Sequence, residues 1–450
     1  MSDRPNTPPR PIVRSLTSQS RPGQTDALNN TWSPPPLQRL EDTGLNLLAV
    51  ADLVLKVLYF GGYMPGHVIS DIVKLPYQNV LDGVMDFLKR EKYVEVKGSG
   101  GIGEAGFQYV ISGKGVEKAR EALERSQYAG PAPVTLTQYI EAMRNQNREK
   151  LIVHEEEMKQ VMKSLVISED MLARIGPAIN SGKSIFLYGP PGNGKTTVAE
   201  TVGRLILGND MWIPYAFDVD GQIIRTYDNV NHELSDEEGN FKRSGIADPR
   251  WIRIKRPMIM VGGELTLAGL DLVYDDINKY YEAPFQVKAN GGMFLIDDFG
   301  RQQVRPRDLL NRWIVPLEKG VDFLTLATGR KIEMPFFVLI VFSTNLDPRD
   351  LVDEAFLRRI RHKIEITDPT FEQFREIFKR VCAAKNVKYD EQALAYLLKE
   401  WYITKERSLR SVHPRDLINQ LLDIATYLNK PPVLTRDLID RAAASYFVKL

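Results

Sequence analysis

Paired cysteines are missing from this chain of 450 residues, whose one cysteine, Cys382, sits in an apolar helical pattern. That excludes an intramolecular disulfide framework and a cysteine metal cluster. A reduced, cytoplasmic setting is the expectation. The five histidines are scattered and offer no pair at ligand spacing, which excludes a histidine metal centre. Surplus charge is missing too, because 59 lysines and arginines nearly cancel 58 aspartates and glutamates. Global charge therefore gives no drive toward nucleic acid or anionic membrane, and any such partner must be met locally. Long apolar runs are absent: nothing approaches the ~20 residues of a membrane helix, and the N-terminus lacks the apolar centre of a signal peptide. No membrane insertion is expected. The chain is long enough for two or three domains, since single cores rarely grow past ~250 to 300 residues.

Residues 1–40, with "RPNTPPRPIVRS" and "WSPPPLQ", hold too few apolar groups to offset the entropy of ordering them. They read as a disordered, Pro-rich tail. From 41 to 127 the pattern changes. "LNLLAVADLVLKVLYFGG" reads as a helix closed by glycines, "GHVISDIVKL" as a second, and "PYQNVLDGVMDFLKREK" as a third that opens with proline. "YVEVKG" and "FQYVISGKG" follow as strands around a glycine-rich tip, and "GVEKAREALERS" as a charged helix. This order resembles a small α+β winged-helix domain, which implies DNA binding through its third helix and wing. The acids of the segment slightly outnumber its bases, however, and the tip "SGGIGEAG" is nearly bare of lysine and arginine. Phosphate contact calls for a basic face, so docking to a protein stands beside DNA as a role for 41–127. A linker over 128–150 leads into alternating strand and helix patterns over 151–366, then helical patterns over 367–450.

The most specific signal is "SIFLYGPPGNGKTTVAETVGRLILG". An apolar strand precedes residues 189–196, which fit G-x-x-x-x-G-K-[ST], and apolar positions at helical spacing follow. Gly189, Pro190, Pro191, Gly192, Asn193, Gly194, Lys195, Thr196 and Thr197 are thus assigned to a nucleotide. Glycines let backbone N–H groups turn inward around a β-phosphate at the positive end of a helix. Lys195 supplies a mobile charge between β- and γ-phosphates, and the Thr196 hydroxyl can ligate magnesium.

A second run, "GGMFLIDDFG", puts four apolar residues, 293–296, ahead of Asp297 and Asp298. In an open parallel sheet, ligands gather beyond the carboxyl ends of the strands. Two acids there can hold magnesium and polarise an attacking water; Asp297 is assigned to the metal and Asp298 to the water.

The phosphate loop, these aspartates, the later strand ending in "FSTN" and the arginine pair of "DEAFLRRI" together resemble the Walker A, Walker B, sensor 1 and arginine-finger regions of the AAA+ ATPases. The resemblance covers roughly residues 150–450. It implies an α/β fold, a P-loop NTPase parallel sheet with a helical lid, and ATP and Mg2+ as cofactors. It makes Asn345 the residue that orients water, and either Arg358 or Arg359 a finger inserted into a neighbouring subunit. It makes Arg415, after Pro414 in "SVHPRDLINQLL", the lid's arginine. Self-association into a ring or arc is implied, with a protein target. The departure is Asp298, where the family carries glutamate; intrinsic acidity is similar, so the issue is reach.

About a hundred residues separate Lys195 from Asp297, more than a minimal core needs, including "NHELSDEEGNFKR" and "MIMVGGELTLAGLDLVYDDINKYY". After Asp298, "DLLNRWIVPLEKG" reads as one helix, and "VDFLTL", "ATGR" and "KIEMP" as a hairpin before the sensor strand. Insert and hairpin resemble the pre-sensor-1 hairpin branch, which includes MoxR-type chaperones, magnesium chelatase subunits and enhancer-binding activators. In the lid, Thr370 with Gln373 makes a capping box, Phe371, Phe374, Phe378 and Val381 share a helical face, and Asp390 and Thr435 can cap later helices. Three functions fit: an ATP-hydrolysing machine that remodels or loads a macromolecular target, a DNA-transaction ATPase, or a nucleotide-gated scaffold with little turnover.

Overall fold

In the computed structural model, residues 32–100, 103–147, 152–206, 210–236, 247–351 and 357–447 are described. Five parallel strands form the central sheet: β1 (Ile185–Tyr188), β2 (Met258–Val261), β3 (Met293–Ile296), β4 (Leu339–Thr344) and β5 (His362–Glu365). Their spatial order is β2-β3-β4-β1-β5. Every residue of β3 and β4 is buried, as expected of central strands covered on both faces, where apolar residues run continuously instead of alternating. One face packs Phe186, Phe294 and Phe342 against Phe299 and Trp313. The other packs Ile185, Leu187, Leu295 and Val341 against Val198, Ala199 and Val202 of the helix Lys195–Ile206. Tyr188 pairs with Thr344, and Ile296 with Phe342. Gly189, Asp297 and Asn345 consequently emerge at the same edge of the sheet.

Several segments differ from the sequence expectation. "MIMV" belongs to the central sheet as its edge strand β2, in register with β3, and not to an insert. The helix expected over "DLLNRWIVPLEKG" is two, Pro306–Arg312 and Ile314–Lys319. Pro316 has no N–H for the carbonyl of Arg312, and its ring would crowd that carbonyl, so the chain breaks at Trp313. Residues 128–150, read as a linker, carry the strand Val134–Thr135 and the helix Leu136–Gln146, started by a Thr135/Gln138 capping box. That strand joins a second five-stranded sheet with Ala216–Val219, Gln222–Arg225, Tyr280–Glu282 and Val273–Asp275. Buried Tyr139 stacks on Phe217 at 5.0 Å and accepts a hydrogen bond from Asn290 Nδ2 at 3.0 Å. The hairpin before β4 is present as Val321–Thr325 and Lys331–Pro335. Residues 1–31, and 237–243 of "NHELSDEEGNFKR", lie outside the described residues; 32–40, expected within the disordered tail, are ordered instead, with Pro34 buried and its carbonyl accepting from Asp248 N at 3.4 Å.

Near the N-terminus, helices Leu47–Gly61, Gly66–Val73 and Asp82–Arg90 pack on an antiparallel sheet of Tyr63–Pro65, Phe107–Ile111 and Val94–Ser99, and helix Gly113–Arg125 follows. The short first strand was not expected. The third helix exposes Gly83, Asp86 and Arg90, and Lys89 is held by Asp86 at 2.7 Å and Glu104 at 3.6 Å.

At the C-terminal end, helices Phe371–Ala384, Glu391–Leu397, His413–Tyr427 and Arg436–Tyr446 share one core. Thr370 with Gln373, Asp390 and Thr435 cap as the sequence indicates. Phe371 is 51% exposed, and Cys382 takes the inward place beside Phe374 and Phe378. Burial there pushes the thiol up to about 11, away from the range of reactive cysteines.

Candidate nucleotide site

The loop leaving β1 owes its shape to three glycines with positive φ: Gly189 at 132°, Gly192 at 80° and Gly194 at 84°. These are backbone angles that side chains resist. A Cβ on Gly189 would also lie 2.3 Å from the carbonyl oxygen of Ile366, which is fixed because Ile366 N donates to Tyr188 O at 2.8 Å. One on Gly194 would meet nothing within 4 Å. Gly189→Ala is therefore expected to destabilise the protein by at least ~2 kcal/mol, and Gly194→Ala by only the ~1 kcal/mol of backbone strain. Denaturant midpoints of the two variants check the ordering.

Lys195 opens the following helix and is only 7% exposed. Its Nζ donates to Gly189 O and Pro190 O, both at 3.0 Å, and to Asn345 Oδ1 at 2.6 Å. Burial lowers its pKa, Asp297 and Asp298 raise it, and the Arg410 guanidinium pushes the same way as burial. Thr196 Oγ1 donates to Asp297 Oδ2 at 2.8 Å, while Asp297 Oδ1 accepts from Asp298 N at 3.0 Å. Asn345 turns its other end to Asp298, with Nδ2 donating to Oδ1 at 3.1 Å. One amide thus bridges the loop's lysine to the second aspartate. The turn is pinned to β4 by Phe299 N on Ser343 O at 2.7 Å and by Thr344 Oγ1 on Phe299 O at 2.6 Å. Asp298 itself is exposed and adopts φ 49°, in the left-handed region.

The Thr196 hydroxyl and the Asp297 carboxylate are hard oxygen donors already within hydrogen-bond distance of each other. They fit a magnesium ion that takes one or two protein oxygens and completes its shell with phosphate and water.

The C-terminal helices reach this loop directly. Val412 N donates to Gly192 O at 2.8 Å, and Ser411 N to Asn193 Oδ1 at 3.1 Å. Asn193 Nδ2 donates to Asp368 Oδ1 at 2.7 Å, and Arg410 Nη1 pairs with the same oxygen. The buried Asn193 side chain therefore ties the loop to the helices, leaving its backbone for a phosphate. Arg410 and Asp368 were not singled out from the sequence. Their only link to the loop is spatial, and no local pattern reports it.

Arg415 lies in the first turn of the helix that follows Val412. Its side chain is 62% exposed and its Nε donates to Asp416 Oδ1 at 2.9 Å. Arg358 is exposed, whereas Arg359 is half-buried with Nε donating to Glu318 Oε1 at 2.5 Å. Pro191 and Thr197 are exposed beside the loop, and Thr197 O accepts from Thr201 Oγ1. The site as assembled holds the loop residues, Asp297, Asp298 and Asn345, and adds Arg410 and Asp368.

Residues 370–445 match a family described as "Domain of unknown function (DUF8689)". No curated protein matches the chain in sequence. Among solved structures, NtrX from Brucella abortus in complex with ADP is 14% identical with a TM-score of 0.38, over 72% of this chain and 64% of that one. The Thermotoga maritima RuvB Holliday junction branch migration motor is 13% identical with a TM-score of 0.33, over 70% and 72%. The fold is read from the chain's own sheet and loop. It is α/β, a P-loop NTPase parallel sheet with a helical domain docked on the loop.

Proposed function

We propose that the chain is an ATP-binding and ATP-hydrolysing machine of the AAA+ type, of the pre-sensor-1 hairpin branch. The carrying observation is the Asn345 amide that bridges Lys195 and Asp298 while Thr196 meets Asp297. Backbone N–H groups of residues 192–196 cradle the β-phosphate at the start of the helix, since Pro190 and Pro191 have none to donate. Lys195 exchanges its two loop carbonyls for phosphate oxygens. Thr196 and Asp297 would hold magnesium, which neutralises charge on the transferred phosphoryl group when bound. Asp298 polarises the attacking water and Asn345 orients it. On the lid side Arg415, exposed in the first turn of its helix, keeps the role that the resemblance implies, and Arg410, paired with Asp368 beside the loop, is added to it.

Self-association into a ring or arc completes the reading. Arg358 or Arg359 is assigned to a neighbouring subunit's phosphates; Arg358 is the more exposed of the two, and Arg359 Nε donates to Glu318. The target is a macromolecule, and protein is favoured over DNA. The winged-helix-like segment offers Asp86 and Glu104 beside its third helix, and its Lys89 is already paired. Among the described residues, no helix is long and apolar enough to cross a membrane.

Steady-state ATP hydrolysis across a range of protein concentrations tests this. Turnover per subunit is expected to rise with concentration, because sites are completed between subunits. A second reading, the nucleotide-gated scaffold, is favoured by the short side chain of Asp298 at the water position. Tight ATP binding with negligible turnover at every concentration would establish it instead.

A further inference from the structure

Asp368 is given no role by the reading above, yet it sits at the junction of loop and lid. It follows β5 by three residues, and its Oδ1 alone receives both the Asn193 amide of the phosphate loop and the Arg410 guanidinium of the lid. Asn193, which shares that oxygen with Arg410, lies two residues before Lys195 in the loop, so the ion pair and the phosphate loop are joined by one side chain. We propose that Asp368 is a positioning residue that holds Arg410 as an internal counter-anion, and that a nucleotide polyphosphate must draw the guanidinium off it. This rests on residues 189–196 being an ATP site.

The geometry makes the exchange local. Val412 N is held to Gly192 O without Asp368, and Ser411 N to the Asn193 amide, which Asp368 retains in either state of Arg410. Arg410 can therefore turn from carboxylate to phosphate without the lid leaving the loop. A guanidinium has five donors in a planar fork and binds phosphate at least as well as carboxylate. Asp368 keeps Asn193 after the exchange, so the loop stays anchored while the charge moves. The Arg410–Asp368 pair thereby raises the affinity threshold for nucleotide, because each binding event breaks an ion pair inside the protein. Two anions competing for one arginine also make binding more selective for ligands rich in phosphate.

The test is equilibrium binding of fluorescent mant-ATP with magnesium to the full chain, comparing wild type with Asp368→Asn, Arg410→Gln and the double variant. Asparagine can still accept from Asn193, so the lid contact is preserved while the charge is removed. Asp368→Asn is expected to bind about fivefold more tightly, an effect scaled to a partly exposed pair. That gain should vanish in the Arg410→Gln background, the signature of coupling between the two residues. Weaker or unchanged binding by Asp368→Asn overturns the proposal. So does a gain that persists without Arg410, which would mean plain repulsion between Asp368 and phosphate. If wild type and Lys195→Ala are alike in failing to bind mant-ATP, the ATP site itself is wrong. That outcome differs visibly from a site that binds but ignores Asp368.

Discussion

Asp298→Asn is expected to lower the rate of ATP hydrolysis about 10³-fold while leaving ATP affinity within about a factor of three. The substitution is nearly isosteric, and the amide oxygen can still accept from Asn345 Nδ2 as the carboxylate does at 3.1 Å. What disappears is the charge that draws a proton from water. Asparagine also tolerates the left-handed backbone that Asp298 adopts at φ 49°, so the turn should survive. Steady-state turnover with mant-ATP binding on the same samples separates the two quantities. Unchanged turnover would remove Asp298 from the chemistry, and a parallel loss of binding would make it a structural acid.

The same backbone angle bears on why aspartate stands where the AAA+ resemblance puts glutamate. Aspartate and asparagine are several-fold enriched at positive φ, because their short polar groups bond locally. At this turn Asp298 Oδ1 accepts from the Asn345 amide, whose own oxygen accepts from Lys195 Nζ, so the short acid is linked to the lysine through one side chain. Asp298→Glu trades the two effects against each other. It adds reach but places a longer side chain on a backbone that suits it less.

What was legible in the sequence was whatever local order encodes. The strand, glycines, lysine and helix of the phosphate loop are contiguous, as are the buried run ending on Asp297 and the caps at Thr370, Asp390 and Thr435. Arg410 was not legible. Proline at a helix start draws attention to Arg415, whereas it is the stretch just ahead of that helix whose Ser411 and Val412 N–H groups lie on Asn193 and Gly192. No spacing rule reports that contact. Likewise "MIMV" could be joined to the central sheet only by its register with β3, more than thirty residues onward. Within 128–150 the strand exists only through its pairing with Phe217, far along the chain, whereas the helix carries a local sign, the Thr135/Gln138 capping box, that a linker reading passes over. Non-local pairing decided the two strands.

The strongest of the non-local ties predicts the largest loss of stability, at Arg250. This arginine is 0% exposed, and its Nη2 meets Asp248 Oδ2 at 2.7 Å while Nε lies 3.1 Å from both carboxylate oxygens. Its Nη1 donates to Thr43 O at 2.8 Å and to Pro133 O at 3.0 Å. One guanidinium therefore joins the segment before the first helix, the entry to the second sheet, and the turn leading into Trp251–Lys255. Arg250→Ala would leave a buried carboxylate without its cation and two carbonyls without donors, and a loss of about 3 to 5 kcal/mol is expected. Lysine should recover only part of it, since a single ammonium cannot span three acceptors in a fixed plane. Replacing Arg250 and Asp248 together by methionine and leucine should recover more, because no buried charge is then stranded. Urea denaturation followed by tryptophan fluorescence reports it directly, with buried Trp251 beside the site. A loss below about 1 kcal/mol for Arg250→Ala would show that the three segments hold together without the arginine. If the full loss appears, the winged-helix-like segment is fastened to the second sheet. Movement of that sheet during nucleotide turnover would then carry the segment and whatever it binds along with it.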